Sequence, residues 1–110
     1  MSTDDAYEAG EGYAGAAEVR VGDTVVQVPV ALSGRFEPVD GAYHWSGRTG
    51  ADAALAAEVR AGRRDAQVRL PGHGRVPVRL AEVDPWGGVR LVGAGTPPWQ
   101  AGDDGAQATH

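Results

Sequence analysis

The chain contains no cysteine, which excludes disulfides, thiolate metal sites and a cysteine nucleophile. It has no lysine either, so its ten basic residues are all arginine. These arginines alternate with acids and form no dense basic run able to neutralise successive phosphates, which argues against nucleic-acid binding. Met1 is the only methionine, and no motif that anchors a flavin or haem covalently is present. No apolar run approaches the length needed to cross a bilayer, and Met1-Ser2-Thr3-Asp4-Asp5 lacks the basic and apolar regions of a secretory signal. A cytoplasmic protein with no membrane contact is expected.

What remains is 110 residues, 42% of them hydrophobic, enough for one small globular domain with a modest core. The net charge of −5 is concentrated at the ends. Asp4, Asp5, Glu8 and Glu11 lie in residues 1–14, and Asp103 and Asp104 lie beyond residue 100, so residues 15–100 are left close to neutral. The same end segments are poor in apolar side chains able to offset the entropy of ordering them. The expected division is a disordered acidic tail over 1–14, one β-rich domain over 15–99, and a second disordered tail over 100–110.

Within the domain the dominant signal is a period of two. Val26, Val28, Val30 and Leu32 alternate with Gln27, Pro29 and Ala31, while Val76, Val78 and Leu80 alternate with Pro77 and Arg79. Each run reads as a strand with one face in a core. Val19-Arg20-Val21 and Val68-Arg69-Leu70 precede them in the same style. Followed by Pro38 and Gly41 in one case and by Pro85 and Gly88 in the other, the two stretches form an internal repeat. Proline cannot donate to a ladder, so Pro29 and Pro77 belong where the missing N–H points away from a partner, at an edge or beside a bulge.

Glycine-bearing turns at Gly22-Asp23 and Pro71-Gly72-His73-Gly74 close the hairpins, and Ala42–Gly47 and Val89–Gly93 supply third strands. Between the halves, Thr49 and Asp52 resemble a helix cap, Leu55 and Val59 share a face, and Gly62 can terminate. Strand character over Leu55 to Val59 is the competing reading. The expected fold is mainly β: a small six-stranded antiparallel barrel or sandwich built from two similar halves, with one short helix between them covering a barrel mouth.

No strong catalytic or cofactor motif is present. Gly93-Ala94-Gly95 lacks the spacing of a dinucleotide loop, and Gly72-His73-Gly74 lacks the lysine of a phosphate loop. His44 and His73 have no compact ligand spacing, so no metal and no cofactor are expected. The richest patch runs from Arg35 to Arg48, where a turn through Pro38 to Gly41 brings Asp40 towards His44. A carboxylate beside a neutral imidazole fixes its tautomer and makes a general base. Arg35 and Arg48 would hold an anionic substrate group, with Tyr43, Trp45 and Trp86 contributing aromatic walls. The competing reading has Asp40 capping the turn, His44 in solvent, the arginines paired with Glu37 and neighbouring acids, and Trp86 closing the core at a barrel end.

Leu32-Ser33-Gly34-Arg35-Phe36-Glu37-Pro38-Val39-Asp40-Gly41, Tyr43-His44-Trp45-Ser46-Gly47-Arg48, Asp84-Pro85-Trp86-Gly87 and Gly93-Ala94-Gly95-Thr96-Pro97-Pro98-Trp99 resemble an actinobacterial family of small β-rich domains of unknown function. Its members occur alone or C-terminal to flavin-dependent monooxygenases. The resemblance spans about residues 15–99 and carries no residue role with it. It implies specialised metabolism, with a flavin-dependent monooxygenase as partner. Two functions follow as expectations: an accessory or small-molecule-binding module, or a cofactor-independent isomerase, cyclase or hydrolase using His44 and Asp40. A homodimer with its pocket at the subunit boundary is a third arrangement, favoured by the small core.

Overall fold

The computed structural model describes residues 12–102. In chain order the elements are β1 (Gly12–Val21), β2 (Thr24–Glu37), β3 (Ala42–Thr49), α1 (Ala53–Arg60), β4 (Asp65–Arg69), β5 (Val76–Val83) and β6 (Val89–Ala94), followed by a 3-10 turn at Pro98–Gln100. All neighbours are antiparallel, and the sheet closes as β1-β2-β3-β6-β5-β4. The fold is a barrel rather than a sandwich. Each half is a three-stranded meander, and the halves join through β1–β4 and β3–β6.

The alternation reads directly onto the walls. Val19, Val21, Val28, Val30, Leu32, Val68, Leu70, Val76, Val78, Leu80, Val89 and Leu91 are all buried inside, while the intervening residues face out. At β1–β2 a two-residue turn has Gly22 at φ +59° and a non-glycine residue, Asp23, without positive φ. That pattern suits a turn whose twist matches the flanking strands.

β1 begins at Gly12, within the segment expected as an acidic tail over 1–14 and ahead of the strand read at Val19-Arg20-Val21. Gly12, Tyr13 and Ala14 pair with Ser33, Leu32 and Ala31, and the Tyr13 hydroxyl donates to the Ala16 carbonyl at 2.7 Å. The length of β2 supplies the partner that composition alone did not reveal. The rest of the expected tails lies outside the described residues, apart from residues 100–102, of which Gln100 is in the 3-10 turn and Ala101 packs on the core.

α1 closes one barrel end against β2, β5 and β6, burying Leu55, Ala56 and Val59. Full burial of Leu55 alone contributes about 2 kcal/mol. The helix cap is Asp52, whose Oδ1 accepts from the Leu55 N–H at 2.9 Å. Thr49 is instead the buried last residue of β3; its hydroxyl donates to the Gly50 carbonyl and accepts from the Val89 N–H. A buried position with two backbone partners leaves this hydroxyl nothing for the helix. Among the described residues, no helix is long and apolar enough to cross a membrane.

Candidate ligand site

Both prolines occupy places their chemistry permits, and one of them opens the wall. The Leu80 N–H donates to the Arg64 carbonyl, on the β4 side of β5. Alternation then turns the backbone of Arg79, and of Pro77 two residues earlier, towards β6. Arg79 pairs with Val92 there, but the ladder goes no further, although β5 extends back to Val76 and β6 on to Ala94. Pro77 has no N–H with which to continue it. The Gly95 N–H donates to the Tyr43 carbonyl at 2.8 Å, which keeps the end of β6 against β3. β5 and β6 therefore part.

At the corresponding place in the first half, the β2–β3 ladder ends at Val30 and Thr49. There the gap beside Pro29 is covered: the Gly50 N–H donates to the Pro29 carbonyl at 2.8 Å as the chain leaves for α1. The gap beside Pro77 stays open. It forms a cleft of about 700 Å³ whose walls include Pro77, Val78, Val92, Gly93 and Ala94, with Arg20, Gln67, Arg79 and Asp65 also lining it. The volume falls in the range of small-molecule sites.

His44 lines this cleft. Its Nε2 lies 2.9 Å from Asp40 Oδ2, across the β2–β3 turn, while Asp40 Oδ1 accepts from the Ala42 N–H at 3.0 Å. Asp40 thus caps the turn and holds the imidazole at once. The His44 hydrogen bond, helped by the Ala42 amide, keeps its carboxyl below the usual range. With Nε2 engaged by Asp40, Nδ1 is the ring atom left for a ligand. Both side chains remain about half exposed, at 41% and 53%.

A smaller cleft of about 210 Å³ lies on the other flank of His44 and shares His44, Val92 and Gly93 with the larger one. It is lined by Ser33, Arg35, Glu37, Ser46 and Arg90, with Gly34 and Trp45 also contributing. Arg35 is paired with Glu37. Trp45 belongs to the inner face, only 2% exposed, and packs edge-on against Trp99 with ring centroids 6.4 Å apart. Both indole N–H groups are buried without a hydrogen-bond partner among the described residues. A Cβ on Gly93 would lie 2.2 Å from the Trp45 ring, so glycine there is what lets the indole lie against β6. Tyr43, half-buried on the same face, covers Gly34 in the same way.

The structure therefore brings together His44, Asp40 and Arg35, with Trp45 behind them. It does not bring Arg48 or Trp86 there. Arg48 is exposed further along β3, opposite Ala31 and Arg90, and lines neither of the two clefts. Trp86 is 78% exposed on the β5–β6 turn, at the end closed by α1. There the Gly87 carbonyl accepts from the Asp52 N–H. Trp86 neither closes the core, where Leu55 and Val59 already fill that end, nor lines either of the two clefts. Its turn is fixed by Asp84, whose Oδ1 accepts from the Trp86 and Gly88 N–H groups at 2.9 Å each.

Sequence reasoning did not single out Arg20, Arg79 and Arg90, although the period of two places each on the outside. Pro77 was the signal that could have located the opening. His73 sits on the β4–β5 loop, where its Nδ1 lies 2.8 Å from the Ala101 carbonyl. Among the described residues, no group of three His, Asp or Glu side chains is placed to hold a metal ion.

A closed six-stranded barrel with one helical plug, and an open seam beside an oriented histidine, defines a small β-barrel domain with a ligand-sized cleft. The chain belongs to the family described as a domain of unknown function, DUF4873, which matches residues 10–101. It is similar to the uncharacterized protein Rv0943c of Mycobacterium tuberculosis H37Rv and to the uncharacterized protein Mb0968c of Mycobacterium bovis. Each is 34% identical over 101 residues, covering 86% of this chain and 26% of the relative. The chain thus spans about a quarter of the length of these curated relatives. No solved structure matches it.

Proposed function

We propose that this domain is an accessory, small-molecule-binding module that works with a flavin-dependent monooxygenase in specialised metabolism, holding a substrate or product of that enzyme. The observation that carries the reading is the cleft beside Pro77, which combines a ligand-sized volume, apolar walls and one oriented imidazole. The resemblance to domains that follow such monooxygenases supplies the oxidative context. The greater length of the mycobacterial relatives is consistent with a domain that operates alongside a larger partner.

The formed His44–Asp40 pair supports a second reading, in which His44 transfers a proton during a cofactor-independent isomerisation, cyclisation or hydrolysis. Against it, Arg35 is turned to Glu37 and Arg48 lies outside both clefts, so neither is poised to stabilise developing charge. The two readings separate when the full chain is incubated with the product of a flavin-dependent monooxygenase from the same organism. Saturable binding of unchanged product, followed by calorimetry and mass spectrometry, is the expected result. Conversion of that product at a rate lost in a folded His44→Ala variant would replace the binding reading with the catalytic one.

A further inference from the structure

The outer face of β3 and β6 carries charge that the fold does not use. Arg48 and Arg90 are direct cross-strand partners, and neither has an ion-pair partner among the described residues. Like charges opposite one another in a sheet are destabilising. Arg90 lines the smaller cleft together with Ser33 and Ser46, themselves cross-strand partners whose hydroxyls make no hydrogen bond among the described residues. The one acid in that lining, Glu37, is already taken by Arg35. The other nearby acid, Asp40, is engaged by His44. The smaller cleft therefore holds unpartnered donors beside one lining acid that is already ion-paired.

The larger cleft next to it has a different character. Pro77, Val78, Val92, Gly93 and Ala94 give it apolar walls, and of its charged lining Arg79 lies 3.8 Å from Asp65, leaving Arg20 as the cation with no partner among the described residues. His44, Val92 and Gly93 line both clefts, so the two adjoin across these residues.

We propose that the two clefts form one bipartite site for an amphiphilic oxyanion. The apolar body lies in the seam between β5 and β6, and a carboxylate or phosphate head lies against Arg90 and the Ser33 and Ser46 hydroxyls. Guanidinium with hydroxyl donors suits either head, since both offer paired acceptor oxygens. The inference rests on the binding reading above and gives it a ligand class.

The test compares three probes with a common naphthyl body on the full chain at low salt: 2-naphthoate, 2-naphthyl phosphate and neutral 2-naphthamide. At least one of the two anions should bind tenfold or more tightly than the amide, and the tighter one identifies the head group. Arg90→Gln should bring that ratio close to one, with the loss falling mainly on the anions. Ala94→Phe, which fills the larger cleft from an exposed position, should weaken all three. Arg20→Gln is the control for the alternative head position, and a larger loss of the ratio there than in Arg90→Gln would overturn the assignment. Equal binding of anions and amide, still blocked by Ala94→Phe, would overturn the oxyanion inference and leave the binding module standing. No binding of any probe would overturn both.

Discussion

If the missing N–H of Pro77 is what parts β5 from β6, restoring it should close the seam. Pro77→Val places a strand-favouring residue with a donor at a position whose backbone faces β6. The acceptor would be Ala94. Gly95 donates to Tyr43 on the β3 side, so alternation turns the Ala94 N–H and carbonyl towards β5. The ladder that now ends at Arg79 and Val92 could then run on to positions 77 and 94. One or two new backbone hydrogen bonds would contribute about 1 kcal/mol each. Losing proline frees the unfolded chain and offsets about 0.4–1 kcal/mol of that. Net stability should rise by about 0–1.6 kcal/mol, so an unfolding midpoint alone does not diagnose closure. Hydrogen exchange does: the new amide at position 77 should be protected, and the strands should approach to about 4.8 Å. Affinity for 2-naphthamide should fall together with the cleft volume. An unprotected amide at position 77 with unchanged probe affinity would refute the argument, because the seam would then be held open by something other than the proline.

The tryptophans should behave oppositely despite similar sequence settings. Trp45→Ala removes a ring buried against Gly93 and Trp99 and should cost about 3–5 kcal/mol in urea unfolding, whereas Trp86→Ala should stay within about 0.5 kcal/mol. The acid limb of stability should carry two signatures. Burial raises the Glu18 pKa, but hydrogen bonds and charge from Arg69 and Arg75, each 3.2 Å away, outweigh that and hold it below the usual value. A carboxyl depressed by folding contributes stability above its unfolded pKa and loses it as pH falls through its folded pKa. Glu18→Gln should therefore cost about 1 kcal/mol near neutral pH and nothing once the wild-type carboxyl is protonated, as measured by urea unfolding along a pH series. Asp40 follows the same sign, and in His44→Ala its carbon-detected titration should move up towards the ordinary carboxylate range.

Most of the barrel was legible because a half-buried antiparallel strand writes its two faces as a period of two, and Val26 to Leu32 and Val76 to Leu80 do so without interruption. The repeat of Pro29 by Pro77, and of Pro38 and Gly41 by Pro85 and Gly88, exposed the two meanders before any pairing was known. The His44–Asp40 contact was readable for a related reason: four residues across a tight turn leave the two side chains few other places to be. Closure into a barrel was less accessible, since it depends on β1 meeting β4 and β3 meeting β6, pairings made by residues far apart in the chain. Gly12 to Ala14 were misassigned for the same reason, their strand character being supplied by β2. Trp86 failed differently. A large aromatic after a proline reads as core from its own surroundings, and only the packing of α1 shows that the space is already occupied.

The two halves also show how one sequence device yields two outcomes. Pro29 and Pro77 each end a ladder on one side while facing a cross-strand neighbour on the other, Ala16 and Gln67 respectively. In the first half the chain leaving β3 turns back over the gap, donates from Gly50 to Pro29, and continues into a helix that plugs the core. In the second half the chain leaving β6 bonds to β3 through Gly95 and brings Trp99 against Trp45, so the core is sealed without covering the seam. Sealing and covering are thus separated. The interior is closed by the tryptophan pair, and the space beside Pro77 becomes a cleft on a finished barrel rather than a defect in it. A ligand there meets walls already held rigid by the ladder on either side, which lowers the ordering cost of binding. That division of labour between equivalent positions leaves an open cleft at Pro77 and none at its covered counterpart, Pro29.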